Sequence, residues 1–181
     1  MKKSSISGAF YNEAVENYAA AKILFENIKS HPCMPASSRN MPLQQRGSTF
    51  FMLLQMAVEK LAKAASCKMQ GDKRMPSKEH DILPLMAIAM RNPKLNAFFE
   101  RNRCAYDFII NELNPLQPSN SGQNEMNLEY PWVTKHNEIK YPAKDLALIK
   151  KYLNNPMQRN FLLIMEELDE FITSFSKIMR F

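Results

Sequence analysis

The sequence predicts an all-α protein, an antiparallel up-and-down bundle of four to six helices. Apolar residues recur at steps of three and four through several long segments, and no segment shows a convincing strand-like alternation of apolar and polar residues. The chain has only four glycines, which excludes the glycine-rich phosphate loops of Walker and Rossmann folds. Short links between the helical segments favour antiparallel neighbours.

Length and composition indicate a single domain covering residues 1–181. Hydrophobic residues make up 45% and charged residues 23% of the chain, which is ordinary for a globular protein. No apolar run approaches the roughly 20 residues that a membrane span needs. No apolar stretch follows the basic start at Met1–Ser5, so a signal peptide is not predicted. We therefore expect a cytoplasmic protein without a membrane partner.

The first helix is predicted from Ser7 to Lys29, with Ser5 or Ser7 as its N-cap. Its apolar stripe has helical spacing and contains Phe10, Ala14, Tyr18, Ala21, Phe25 and Ile28. The segment 30–43 contains three prolines, which predicts a loop.

The second helix is predicted from Gln44 or Ser48 to Met69, and Gly71 supplies its C-terminal stop. Its apolar stripe comprises Phe51, Leu54, Val58, Leu61, Ala62 and Ala65. Three charged residues fall largely off this stripe: Glu59, Lys60 and Lys63.

The third helix is predicted in two pieces, 82–90 and 93–113, because Asn92-Pro93 interrupts it. The segment 114–142 then has no helical period and contains the only tryptophan, Trp132. A loop of this length is uncommon inside a domain unless it has a function or is mobile.

The last helix is predicted from Pro142 to the end of the chain. Pro156 lies inside it, so we expect a kink or a break there, with Asn155 capping a second piece.

Cysteine and histidine residues are few and scattered. They lie at Cys33, Cys67, Cys104, His31, His80 and His136, with no Cys-x-x-Cys pair. Neither a structural metal site nor a disulfide framework is predicted from this spacing, and no cofactor is expected.

Positive charge is concentrated in one segment of the chain. The net charge is +6, and residues 59–103 hold ten Lys/Arg against five Asp/Glu, or +5. This concentration suits a phosphate-bearing partner, either a nucleotide or RNA. For any single lysine, a solvated helix surface remains the simpler interpretation.

Three short motifs, at residues 57–64, 80–85 and 130–131, resemble motifs of the HEPN domain, a family of helical bundles. Residues 57–64 read Ala-Val-Glu-Lys-Leu-Ala-Lys-Ala, which is similar to the family's signature on its second helix. His80-Asp81-Ile82 with Leu85 looks like the motif that opens the family's third helix. Tyr130-Pro131 falls where many members have Arg-Tyr-Pro, although position 129 is Glu here.

The resemblance implies one of two functions. Some HEPN proteins are metal-independent ribonucleases that use an Arg and a His with four to six residues between them. In these proteins the His handles the 2′-OH proton and the Arg offsets phosphate charge. Others lack this pair and bind nucleotides or act as partners of minimal nucleotidyltransferases. Arg74 and His80 have the ribonuclease spacing, but they precede the third helix, whereas the family's pair follows it. The non-catalytic function is therefore the prediction, and a homodimer is expected by analogy.

The predicted ligand-binding residues are Lys60, Lys63, Lys73, Arg74 and His80. Lys60 and Lys63 lie three residues apart and share a helix face beside the basic link at residues 70–79. His80 has an alternative, structural interpretation, in which it hydrogen-bonds a backbone group or a neighbouring carboxylate at a helix start. Two further functions stay open at this point, a ribonuclease that uses Arg74 and His80 and a plain helical scaffold.

Overall fold

The computed structural model describes residues 5–30, 43–72, 82–116, 132–133, 139–140 and 147–180. They confirm the all-α class. The α-helices with defined bounds are α1 (Ile6–Ser30), α2 (Leu43–Met69), α3 (Ile82–Ala89), α4 (Pro93–Arg101), α5 (Arg103–Phe108) and α6 (Arg159–Met179). The first two agree with their predicted bounds to within the usual uncertainty of helix ends.

Short segments of other structure join these helices. Helix α5 is followed directly by a π-helical turn at Ile109–Leu113. A second π-helical turn covers Ile149–Leu153. A 3₁₀ turn follows the first of them at Asn114–Leu116. Two strands of two residues, β1 (Trp132–Val133) and β2 (Ile139–Lys140), pair antiparallel within the predicted long loop. Strands this short carry too few residues to show an alternating pattern in the sequence.

Helices α1 and α2 pack antiparallel along most of their length. Ser7, at the start of α1, bonds Asp72, just beyond the end of α2. Near the other ends of the two helices, the rings of Phe25 and Phe50 stack with centroids 5.5 Å apart. The two contacts bring the start of one helix to the end of the other.

Helix α6 also runs antiparallel to α1. Tyr11 stacks on Phe175 with ring centroids 5.8 Å apart, and Phe25 meets Phe161 edge to face at 5.5 Å. Thus the C-terminal end of α6 lies beside the N-terminal end of α1. The antiparallel arrangement predicted from sequence is confirmed for these helices.

The apolar stripes predicted on α1 and α2 form part of the core. Every stripe residue of α2 is buried, and on α1 only Phe10 is partly exposed. Phe161 of α6 is fully buried between α1, α2 and α5. Its ring lies 4.8–6.4 Å, centroid to centroid, from the rings of Phe25, Phe50, Phe51, Phe108 and Tyr152.

Gly47 permits close packing of α2 against the second π-helical turn. A Cβ atom at this position would lie 2.8 Å from Leu153 Cδ1 and 3.0 Å from Ile149 Cγ1. Both side chains are buried, so a larger residue at position 47 would displace part of the core.

The helix predicted over 93–113 is divided at Asn102, which is a correction to the sequence analysis. Asn102 has φ −106° and ψ 60°, outside the helical region, and its side-chain amide donates to the Phe98 carbonyl oxygen at 3.1 Å. In the first turn of the next helix, α5, the Ala105 N–H donates to Glu167 Oε2 of α6 at 2.7 Å. A carboxylate from a distant helix therefore satisfies the new helix start, which a local pattern does not reveal.

The break predicted near Pro156 is confirmed, but the predicted cap at Asn155 is wrong. Gln158 occupies the N-cap position of α6, without a side-chain capping bond. Its side-chain amide instead donates to the Lys151 carbonyl oxygen at 2.8 Å. The Gln158 side chain therefore satisfies a carbonyl of the preceding π-helical turn instead of capping α6.

The N-terminus of α1 is held by two residues. Ser5 Oγ accepts from Gly8 N–H at 3.1 Å, as its predicted capping role requires. Asp72 accepts from the Ser7 N–H at 2.8 Å and from the Ser7 hydroxyl at 2.9 Å. Gly71, with φ +72°, ends α2 as predicted and turns the chain toward this contact.

We expect Asp72→Asn to lower the free energy of unfolding by about 1–2 kcal/mol, measured by urea denaturation. Asn tolerates the positive φ of this position (+56°) but loses the negative charge beside the helix start and one of two accepting oxygens. The control is Asp107→Asn, because the pair of Asp107 with Arg103 is exposed and should contribute under about 0.5 kcal/mol. Equal losses in the two variants would contradict this role of Asp72.

None of the helices in the described part of the chain is both long and apolar enough to cross a membrane.

Candidate functional site

The two described members of the predicted ligand site, Lys60 and Lys63, are both engaged in ion pairs. Lys60 Nζ lies 2.6 Å from Glu13 Oε2 of α1, and Lys63 Nζ donates to Glu59 Oε1 at 2.6 Å. Their ammonium groups lie 5.3 and 6.0 Å from the centroid of the Phe10 ring, so the two lysines do share a face. The face they share is the one that packs against α1.

The two ion pairs differ in burial. The Lys63 and Glu59 side chains are 8% and 7% exposed, whereas those of Lys60 and Glu13 are 24% and 51% exposed. The sequence pattern placed Glu59 and Lys63 off the apolar stripe, but the packed bundle covers both. This geometry favours a structural role for Lys63, since a cation this buried is not presented to a ligand in solution.

Lys73, Arg74 and His80, the other predicted ligand-binding residues, lie outside the described residues, and so do Tyr130 and Pro131. Their participation in binding, and the catalytic alternative with Arg74 and His80, stay predictions.

Three exposed cations on α4 and the turn before it were not singled out from sequence. They are Arg91, Lys94 and Arg101, and none of them has an acidic partner among the described residues. Only the charge count over 59–103 signalled them, because single surface cations have no pattern of their own.

A groove of about 220 Å³ lies between α1 and α6. An ion pair spans this groove, in which Asp169 of α6 accepts a hydrogen bond from Lys22 Nζ of α1 at 2.7 Å. Burial, together with the charge and hydrogen bond of Asp169, raises the pKa of the Tyr18 phenol far above its ordinary value. Tyr18 therefore stays protonated at any physiological pH and acts here as a hydrogen-bond donor.

The two π-helical turns are joined by a polar contact. Lys151 of the second turn pairs with Glu112 of the first, and the Tyr152 hydroxyl lies 3.5 Å from the same carboxylate. The hydrogen bond to Glu112 raises the pKa of Lys151, and burial raises the pKa of Tyr152. Both groups therefore keep their protons at neutral pH, so neither is poised as a general base.

The described cysteines lack the electrostatic setting of a nucleophile. Burial and the nearby Asp72 raise the pKa of the Cys67 thiol, although Lys63 acts in the opposite direction. Desolvation and Glu167 raise the pKa of the Cys104 thiol. A nucleophilic cysteine needs the opposite shift.

No group of three or more His, Cys, Asp or Glu side chains suited to a metal ion occurs among residues that the structure describes.

Comparison of the chain with protein-family models, with curated proteins and with solved structures finds no match in any of the three.

Proposed function

We propose that this protein is a non-catalytic, HEPN-like helical module that binds a phosphate-bearing ligand, either a nucleotide or RNA. The observation that supports it is the way in which the fold distributes the charges of the basic segment 59–103. Its described acids are engaged within the protein, while several of its cations face solvent without an acidic partner in the described part of the chain.

The acids of this segment are engaged as follows. Glu59 pairs with the buried Lys63, and Asp72 caps the start of α1. Glu100 accepts from the Asn96 side-chain amide at 2.8 Å. Lys63 neutralises Glu59, and Asp72 faces the partial positive charge of the α1 N-terminus, so these two carboxylates contribute little neutralisation to the cations elsewhere on the surface.

The cations that remain are Arg91, Lys94 and Arg101. All three are exposed, and exposed Lys and Arg side chains form charge-assisted hydrogen bonds with phosphate oxygens. The resemblance of residues 57–64 and 80–85 to HEPN motifs adds to this argument, because members without the ribonuclease pair bind nucleotides or act as partners of nucleotidyltransferases.

The test is binding of the purified wild-type protein to ATP and to a single-stranded RNA, measured by fluorescence anisotropy at low salt. We expect a Kd of roughly 1–100 µM for at least one ligand, weakening as salt is added, as for electrostatic phosphate binding. The RNA should stay intact during the assay. Absence of binding to both ligands would refute the proposal. RNA cleavage that disappears in His80→Ala would establish the ribonuclease alternative instead.

The same resemblance implies a homodimer and a nucleotidyltransferase-type partner. Light scattering of the purified chain tests the dimer. Co-expression with such a partner, followed by co-purification, tests the second expectation.

A further inference from the structure

One end of the bundle gathers cations from two distant parts of the chain. Asn92, in the turn between α3 and α4, donates to Met179 Sδ near the end of α6 at 3.5 Å. Four cations lie within two residues of this contact, and we refer to them as the basic end: Arg91, Lys94, Lys177 and Arg180. All four side chains are exposed.

Few acidic residues lie near the four cations of the basic end. The acids nearest to the four cations in sequence are Glu100, six residues after Lys94, and Glu170, seven residues before Lys177. No acidic partner of the four cations occurs in the described ranges. Tyr11 stacks on Phe175, so the start of α1 lies at this end too, and the Asp72 carboxylate there accepts two bonds from Ser7. The described charges at this end are therefore four cations against the single carboxylate of Asp72, which leaves a net positive potential.

The backbone at this end offers few free donors to an anion. Asn92 Oδ1 accepts from the N–H groups of Lys94 at 3.0 Å and Leu95 at 3.3 Å. Pro93, the first residue of α4, has no N–H. Because these donors at the α4 N-terminus are occupied or missing, recognition of an anion here depends on the four exposed side chains.

We propose that the basic end binds a linear chain of phosphate groups, an RNA backbone or inorganic polyphosphate, in preference to a single nucleotide. This proposal rests on the proposed function and locates its binding site. Four cations from two distant segments of the chain can each meet a different phosphate of an extended chain. A single nucleotide carries its phosphates at one position and can engage only some of these cations at once.

The test compares two variants with matched charge changes. Lys94→Gln/Arg180→Gln removes one Lys and one Arg from the basic end. Lys150→Gln/Arg159→Gln removes the same pair of residue types from exposed positions at the second π-helical turn and the start of α6. Equal melting temperatures for the two variants and the wild type establish that folding is unaffected.

The measured quantity is the salt dependence of binding to a single-stranded RNA. Four phosphate contacts should reduce the wild-type affinity about 50-fold between about 50 and 200 mM salt, because each contact adds about 0.7 to the logarithmic slope. The Lys94→Gln/Arg180→Gln variant should lose only about 7-fold over the same range and bind more weakly at low salt. The Lys150→Gln/Arg159→Gln variant should behave as the wild type does. Polyphosphate should compete with the RNA, and ATP at equal phosphate concentration should not.

Three outcomes would overturn this inference. If the wild type binds RNA and both variants retain the wild-type slope, the site lies elsewhere while the proposed function stands. If ATP competes as well as polyphosphate does, the preference for a phosphate chain is wrong. If the wild type binds none of the three ligands, the proposed function fails together with the inference.

Discussion

Glu59→Gln is expected to lower the free energy of unfolding by about 3–5 kcal/mol, measured by urea denaturation. Gln has nearly the same size as Glu and keeps a hydrogen-bonding oxygen, so the substitution removes mainly the negative charge. The Lys63 ammonium then stays in an environment where its side chain is only 8% exposed, without the carboxylate that lies 2.6 Å away. Burying a cation without its counter-charge costs far more than losing an exposed pair.

The matched control is Glu13→Gln, which makes the same chemical change at a pair of the same length. Glu13 is 51% exposed and its partner Lys60 is 24% exposed, so water replaces much of the lost interaction. We expect a loss of at most about 1 kcal/mol. The double variant Glu59→Met/Lys63→Met should regain much of the stability, because an apolar pair of similar volume needs no counter-charge. Equal losses for Glu59→Gln and Glu13→Gln would contradict a structural role for the buried pair.

Phe161→Ala is the second substitution with a large expected effect, again about 3–5 kcal/mol in the free energy of unfolding. The side chain is fully buried and contacts rings from α1, α2, α5 and the second π-helical turn. Its removal leaves a cavity that cannot close without moving several helices. Edge-to-face and stacked ring pairs are lost with it.

Leu163→Ala on the same helix is the control for Phe161→Ala. The Leu163 side chain is 40% exposed, so its truncation should change stability by less than about 1 kcal/mol. Phe161→Leu should fall between the two, since it refills part of the cavity. A loss below about 2 kcal/mol for Phe161→Ala would mean that this site can repack, and that the rings around Phe161 are not the centre of the core.

The residues expected to control stability differ from those expected to control ligand binding. Lys63 forms a buried ion pair on α2, whereas Lys94 and Arg180 are exposed to solvent at the basic end. A substitution at Lys63 should therefore act on the melting temperature first. The two exposed cations should change ligand affinity with little effect on melting.

The fold class and the first two helices were predictable from sequence because their signals are local. The stripe from Phe51 to Ala65 is buried as its helical spacing predicts, and Gly71 ends α2 because a positive φ suits glycine. The break near Pro156 is likewise a local effect of proline. These features depend only on residues within a few positions of each other.

The tertiary structure alone decided which charged residues are buried and which are presented to solvent. Glu59 and Lys63 lie off the apolar stripe in sequence, yet packing of the bundle covers them. Asn102 divides a predicted helix where Glu167, a residue 62 positions beyond Ala105, satisfies the new helix start. The basic end exists because Asn92 and Met179, 87 positions apart, are in contact. The sequence by itself determined the all-α class and most of the helical segments, since helical periodicity is a property of neighbours in the chain. The candidate binding site arises from contacts between distant segments, and only the docking of the helices brings those together.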